Sequence, residues 1–512
     1  QGHLFQKYGQ LNEAYNRYRL LHIDFPTNHL THKAKKEMER IVKEDASIII
    51  KPLTLDEYEK RIKALLKEVA YQQVVNEISE LLKSKISLPA NFYFNLAKGQ
   101  KGLRKRKESI SILKKFLKNY PNHRRTQEAL FIIGRNHWNT GYYRDGLKYF
   151  KNSIDKKTDL KLTNQARFFV GKMHEEKKQY SQATAYYKIL TNKFSDEYAE
   201  RATWQLGWMN YKMENFKKSY GYFNESINKY PTGLFIESSM YWSAKSAEQL
   251  KKKELAQQIF KNVNITFPYT YYGIRAGEKR HDKKRFLSSN KNEAQPTRSP
   301  DLSSDARFHH SRGVELSATG FFEDARLEIK QLESITKKNL SGVIWLTKLY
   351  NDAHAYSDTV RVMQLYKDFK TKVREKELSN NFWRNFYPLA YTKIIHHNAK
   401  FFNVDPYFIK GLIRQESLFN AQVQSRAGAI GLMQIMPETG RTLYGDPKNS
   451  EPFHTEILFN PTINIELGVK YIHQLNKRFN KNRTHILISY NAGPHNLKKW
   501  LKRFSHLDDP DM

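Results

Sequence analysis

The sequence contains no cysteine, so it has neither a disulfide framework nor a thiolate metal site. That absence fits any compartment, including an oxidising one in which stray thiols would mispair. No run of about 18 apolar residues occurs, so the sequence offers no candidate transmembrane helix. The chain opens at Gln1 rather than Met, without a signal-peptide pattern, and a processed or trimmed polypeptide is the expectation. Acidic residues are scarce beside basic ones: 52 Asp and Glu stand against 87 Lys and Arg, a formal net charge of +35. Such an excess concerns partners rather than fold. It favours nucleic acid, a membrane surface or acidic wall polymers, with a solvated lysine-rich surface as the ordinary alternative. The excess is uneven, because residues 386–512 hold 16 basic and 10 acidic side chains and so carry little of it. Period-two strand patterning is also lacking, and the 512 residues read as all-α, with length for several domains.

What is present first is a repeat. Gly134, Gly171 and Gly207 lie 37 and 36 residues apart, and Tyr143, Tyr180 and Phe216 keep that spacing. So do Phe150, Tyr187 and Phe223, and Ala129, Ala166 and Ala202. Ala244 and Phe260 continue the series, and Ala97 and Leu113 precede it. A small residue in one helix, an aromatic at the turn and an aromatic in the second helix describe a helix–turn–helix repeat just above the tetratricopeptide period. At an offset of 169, Leu11, Ala14, Tyr18 and Phe25 align with Tyr180, Ala183, Tyr187 and Phe194. The chain is therefore expected to open on the second helix of a repeat, with the first helix missing. The expected organisation is a helical-repeat superhelix over 1–279, a polar loop at 280–306, a further helical linker domain over 307–385 and a last domain from 386 to 512. Repeats of this kind stack into scaffolds and carry no chemistry of their own.

The chemistry is expected in "DPYFIKGLIRQESLFN". Asp405 caps a helix that has Pro406 at its first position. Ile409, Leu412, Ile413 and Glu416 follow at i, i+3, i+4 and i+7, which places Glu416 on the apolar face near the helix C-terminus. Burial and the negative end of the helix dipole both disfavour its ionised form, as suits a general acid. The plain alternative is a helix-end Glu paired with Arg414 or Arg426. "AGAIGLMQIMP" then brings small residues against this face, with Gln434 as a lone amide that needs partners. "ILISYNAGP" ends a helix at Gly493 and Pro494, placing Tyr490 and Asn491 at the stop. No second carboxylate sits beside Glu416: Asp405 serves as a cap and Glu438 lies beyond Pro437. A two-carboxylate glycosidase needs a partner about 5–10 Å away, whereas a substrate-assisted route does not.

The stretches "RQESLFNAQVQSRAGAIGLMQIMPETG", "LFNPTINIELGVKYIHQL" and "ISYNAGPHNLKKW" resemble, in order, the three signature blocks of the soluble lytic transglycosylases. The resemblance implies a lysozyme-like catalytic domain after a tetratricopeptide-like superhelix, and peptidoglycan glycan strands as substrate. Glu416 would be the single catalytic acid, then base, in a cleavage that leaves 1,6-anhydro-muramoyl ends. Ser425, Gln434, Met436 and Tyr490 would line the sugar site. Asn491 is grouped with them, its expected part being to fix the local backbone. Asn460, Asn464 and Gly468 would pack and hold loops. No cofactor or metal is implied. A Gram-negative periplasm is the implied location, and other cell-wall enzymes are partners that the repeats could hold. The family's Ile-Pro-Phe…Glu-Thr-Arg stretch is expected beyond Trp500, and its absence predicts a cleft with one wall incomplete. A muramidase-type hydrolase and a non-catalytic wall-binding scaffold remain alternatives. Nucleic-acid binding ranks low, since no helix-turn-helix or stacking motif accompanies the charge.

Overall fold

A computed structural model describes residues 1–503 except 29, 46, 50, 85, 269, 281–298, 337–339, 366–379, 426 and 446–452. The chain forms two compact units, Gln1–Lys283 and Lys284–Met512. The described residues are mainly helical, and their only β-type pairings are two isolated bridges, Gln424 with Ile430 and Ile430 with Ile435.

The first unit is a series of antiparallel helix pairs, and the repeat columns explain how the pairs close. Ala129, Ala166, Ala202 and Ala244 are fully buried, as are Phe150, Tyr187, Phe223 and Phe260. A Cβ on Gly134, Gly171 or Gly207 would lie 3.0, 2.5 and 2.7 Å from the rings of Phe150, Tyr187 and Phe223 respectively. The glycine in the first helix is thus the floor on which the aromatic of the second helix rests. Each such ring contributes about 2–3 kcal/mol of apolar burial. The same contact recurs at the beginning of the chain: the short helix Gly2–Lys7 precedes Leu11–Asp24, and a Cβ on Gly2 would lie 2.6 Å from Tyr18. Six residues therefore occupy the place of the helix that the 169-residue offset left unfilled.

The turns repeat as well. Gly9, Val69, Arg104, Gly141, Lys178, Glu214 and Lys251 all have positive φ. The amide after each closes a six-residue loop, as in Gln179 N–H to His174 C=O at 2.9 Å and Asn215 N–H to Asn210 C=O at 2.9 Å. This is the Schellman way of ending a helix, which satisfies a terminal carbonyl and reverses the chain. Outside glycine the left-handed residue costs about 1 kcal/mol, offset by the helix packing it permits. Between pairs, the buried carboxylate of Glu175 accepts from Tyr187 Oη (3.0 Å), Gln205 Nε2 (2.9 and 3.0 Å) and Lys212 Nζ (2.9 Å), tying three helices together.

The second unit has two hydrophobic clusters. Ala306 to Phe386 form one, built on helices Ser304–Ala318, Phe322–Gln331, Leu340–Asp352 and Tyr356–Leu365. Glu333 there accepts from Tyr350 Oη at 2.7 Å and from Arg361. Ser303 caps the first of these helices, so 304–306, within the stretch read as loop, are helical. Residues 281–298 of that stretch lie outside the described residues. Ala390 to Ile486 form the other cluster, and the helices that matter for the site are Pro406–Ser417, Pro437–Tyr444, Pro461–Arg478 and Arg483–Ala492. Among the described residues no helix is long and apolar enough to cross a membrane.

Candidate active site

Asp405 Oδ1 accepts from Tyr407 N–H at 2.9 Å and starts the helix Pro406–Ser417 as its cap. Ile409, Leu412 and Ile413 are buried, and Glu416, one turn on, is half-buried near the helix end. Burial raises its carboxyl pKa above the usual value, in the direction a general acid requires. The pairing with Arg414 that the sequence left open does not form. Arg414 turns the other way, donating to Phe386 C=O at 3.3 Å with its guanidinium 4.3 Å from the Phe386 ring and 4.8 Å from that of Tyr387. Arg426, the other proposed partner, lies outside the described residues. The helix stops abruptly: Leu418 and Phe419 both have left-handed φ, 51° and 64°. Two bulky residues in that region are strained by about 1–3 kcal/mol each, and the burial of Phe419 helps to offset this.

After this helix comes a tightly bonded loop, 423–435. Gly431 N–H donates to Val423 C=O at 2.9 Å, and Ile430 and Ile435 exchange two bonds of 3.0 Å. Ser425 Oγ accepts from Ala429 N–H at 2.9 Å, closing the turn at its tip. Gln434 resolves the question of its partners locally: Nε2 donates to Gly431 C=O (2.9 Å) and Val423 C=O (3.2 Å), leaving only Oε1 for a ligand. Met436 is exposed and caps the helix Pro437–Tyr444.

Asn464 pins this loop from beneath. It is fully buried, accepts from Met433 N–H at 2.8 Å, and donates to Leu458 C=O at 2.7 Å and Ile430 C=O at 3.0 Å. All the hydrogen-bonding capacity of its amide but one lone pair is thereby used. Gly431 must be glycine for this, since its φ is 76° and a Cβ would lie 2.3 Å from Leu458 O. Gly468 is likewise pressed on Met433, whose Sδ would stand 2.2 Å from a Cβ there. Asn460 caps Pro461–Arg478, accepting from Thr462 N–H at 2.9 Å.

Tyr490 joins the loop to the acid. Its hydroxyl donates to Met433 C=O at 2.6 Å, and its ring lies 5.5 Å from that of Tyr471. Burial, then the charge of Glu416, then Tyr471 raise its phenol pKa, so it stays a neutral donor beside the carboxyl. Tyr490 is thus tied to the 423–435 loop, which carries Ser425 and Gln434, and feels the charge of Glu416, while Met436 is exposed. Asn491 stands apart from its expected part: it is exposed, and its side chain makes no hydrogen bond to local backbone among the described residues. Asn496 does that work, donating to Ala492 C=O at 2.7 Å after Gly493 ends the helix. Tyr471 also escaped sequence reasoning. It lies within the second signature stretch, but nothing in its spacing there singled it out.

The family described as "Transglycosylase SLT domain" matches residues 393–512. The C-terminal segment matches the transglycosylase SLT domain family. A Haemophilus influenzae protein assigned to the soluble lytic murein transglycosylases is 37% identical to this chain over 119 residues, covering 23% of the chain and 20% of that protein. The soluble lytic murein transglycosylase of Escherichia coli K12 is 34% identical over 118 residues, 22% of this chain and 18% of that protein. These matches span about a fifth of each relative's length. Upstream, residues 92–123 match a tetratricopeptide repeat. A solved complex of the 70-kDa soluble lytic transglycosylase with bulgecin A shares the fold, with a TM-score of 0.52 at 16% identity, over 98% of this chain and 74% of that one. The all-α architecture, a helical-repeat unit followed by a lysozyme-like SLT domain, is the one expected from the sequence.

Proposed function

We propose that this chain is a peptidoglycan lytic transglycosylase that cleaves between N-acetylmuramic acid and N-acetylglucosamine, with Glu416 as its single acid–base group. The observation that carries this reading is a half-buried carboxyl at a helix end, raised in pKa, free of cationic partners among the described residues, and beside the Tyr490 hydroxyl. Protonated Glu416 gives its proton to the glycosidic oxygen as the bond to the muramoyl C1 breaks. The carboxylate left behind takes the proton of the muramoyl 6-hydroxyl as that oxygen bonds to C1. Glu416 ends protonated, no water is consumed, and the product is a 1,6-anhydro ring. In this reading Tyr490, fixed by Met433 C=O, and Gln434 Oε1 meet the acetamido group, and Ser425 and Met436 complete the sugar-contacting set. Asn491 remains a substrate-contact candidate by virtue of its exposure. The cell wall of a Gram-negative periplasm is the proposed site of action, and other wall enzymes are proposed partners of the repeats.

The test is mass spectrometry of sacculi digested by the protein. Anhydro-muropeptides are expected, absent with Glu416→Gln. Reducing muramic ends alone would make it a hydrolase, and equal clearing by the Gln variant would remove Glu416 from the chemistry.

A further inference from the structure

One position of the repeat departs from its neighbours. In the first helices of successive pairs, Lys98, Arg135 and Lys172 share a register, and three residues later stand Lys101, Trp138 and Glu175. Lys172 has its counter-charge, since Glu175 lies 3.6 Å from it. Arg135 has a tryptophan where that carboxylate would be. Its guanidinium sits 4.3 Å from the Phe169 ring and 5.7 Å from that of Trp138, and it makes no hydrogen bond or ion pair among the described residues. The nearby carboxylate of Glu128 is already shared between Arg125 at 3.0 Å and Lys98 at 3.3 Å. Lys101 has no ion pair among the described residues, and burial together with the charges of Arg135 and Lys98, against the opposing charge of Glu128, lowers its ammonium pKa. Burial also lowers that of Arg135. Arg135 is thus held half-buried without an anion among the described residues, with the exposed ammonium of Lys101 near it, an arrangement that costs free energy until a counter-charge arrives. Beside them are flat, half-exposed rings: Trp138 and Phe169 lie 5.5 Å apart, and the indole is fixed by its Nε1 bond of 2.9 Å to Glu176.

Resting on the proposed function, we infer that this side of the helices Ala90–Gly102, Thr126–Asn139 and Leu160–Glu176 is a second binding surface, for glycan that carries carboxylates. Sugar rings stack on Trp138 and Phe169, while Arg135 and Lys101 pair with the carboxylates of stem peptides. The chemistry selects this occupant: the rings offer apolar faces and the cations lack anions, and the strands that the SLT domain is proposed to cleave present both complements. The surface gives the repeat unit a grip on wall polymer that the domain holding Glu416 does not supply.

The experiment uses the full chain carrying Glu416→Gln, so that the polymer is not consumed. Co-sedimentation with sacculi stripped of protein is measured with and without Lys101→Glu and Arg135→Glu. Affinity is expected to fall about tenfold, the scale of losing charge-assisted contacts, and the difference should shrink as salt rises. Binding to chitin, a neutral glycan, should not differ between the two. The pair Lys101→Gln and Arg135→Gln, with circular dichroism to confirm the helical content, guards against misfolding and should show a smaller loss of the same kind. Unchanged sedimentation overturns the inference. So does an equal loss on chitin, a loss confined to sacculi that keep their attached proteins, or a loss on single-stranded DNA alone. In the Glu416 background, cleavage of a soluble muropeptide should stay within about twofold of the parent, since a short ligand does not need a second grip. If the parent cleaves nothing, the proposed function fails while the sedimentation result still reads the surface.

Discussion

Replacing Asn464 with alanine should couple stability to activity most directly. The side chain is fully buried and serves three backbone groups: Met433 N–H, Ile430 C=O and Leu458 C=O. Alanine leaves Met433 N–H and Leu458 C=O without a partner, while Ile430 C=O keeps the bond from Ile435 N–H at 3.0 Å. A buried polar group stripped of its hydrogen bond costs about 1–3 kcal/mol, so two such groups, partly rescued by water or relaxation, should cost about 2–4 kcal/mol. The lost side-chain volume adds to this. Urea denaturation, followed on the transition that carries the SLT domain, measures the sum. Amide hydrogen exchange gives the local result, because the Met433 amide should lose protection that depends on Asn464 Oδ1. Turnover should fall as well: Met433 C=O anchors the Tyr490 hydroxyl at 2.6 Å, so a loosened loop releases the residue beside Glu416. A loss under about 1 kcal/mol with Met433 protection unchanged would show that the loop is held by its own bonds and that Asn464 is a bystander.

Glu416→Gln should lower turnover by at least about 100-fold, the usual minimum for a positioned general acid. The parent's rate should decline as pH rises through the elevated Glu416 pKa, because only the protonated acid can start the reaction. The same elevation means that ionised Glu416 destabilises the fold above its unfolded pKa. Calorimetry should therefore find the Gln variant more stable than the parent at pH 7, with the gain gone below about pH 4. Tyr490→Phe should cost about 1–2 kcal/mol by leaving the Met433 carbonyl unpaired, with a drop in sacculus digestion that added substrate does not restore. Gly171→Ala should destabilise the repeat unit by about 1–3 kcal/mol, since its Cβ would sit 2.5 Å from a Tyr187 ring tethered to Glu175, yet leave cleavage of a soluble muropeptide unchanged.

The sequence by itself determined the repeat, the helical class and the apolar helix face that carries Glu416, because each rests on spacing. A glycine 16 residues before an aromatic reports one close contact, Gly171 on Tyr187, and an apolar i, i+3, i+4 series reports one buried face, that of Ile409, Leu412 and Ile413. These are relations within a helix or between adjacent helices, and the chain order preserves them. The turns were only half legible. Gly9 and Gly141 announce a left-handed residue, but Lys178, Glu214 and Lys251 adopt the same conformation with side chains that do not betray it. There the packing of the helix pair, rather than local preference, fixes the backbone.

Tertiary structure decided everything that depends on partners distant in the chain. Asn464 reaches Met433 across 31 residues and Tyr490 reaches it across 57, so neither bond leaves a periodic trace. Arg414 could have been read as the counter-ion of Glu416, two positions away. On a helix that spacing points the two side chains to different sides, and the aromatic pair Phe386 and Tyr387 claims the guanidinium. Glu175 and Arg135 make the same point in the repeats, where neither its hub of donors nor its lack of an anion can be counted before the helices are stacked. Spacing names which residues face inward. Which of them meet, and which are left without a partner, is fixed only when the faces close.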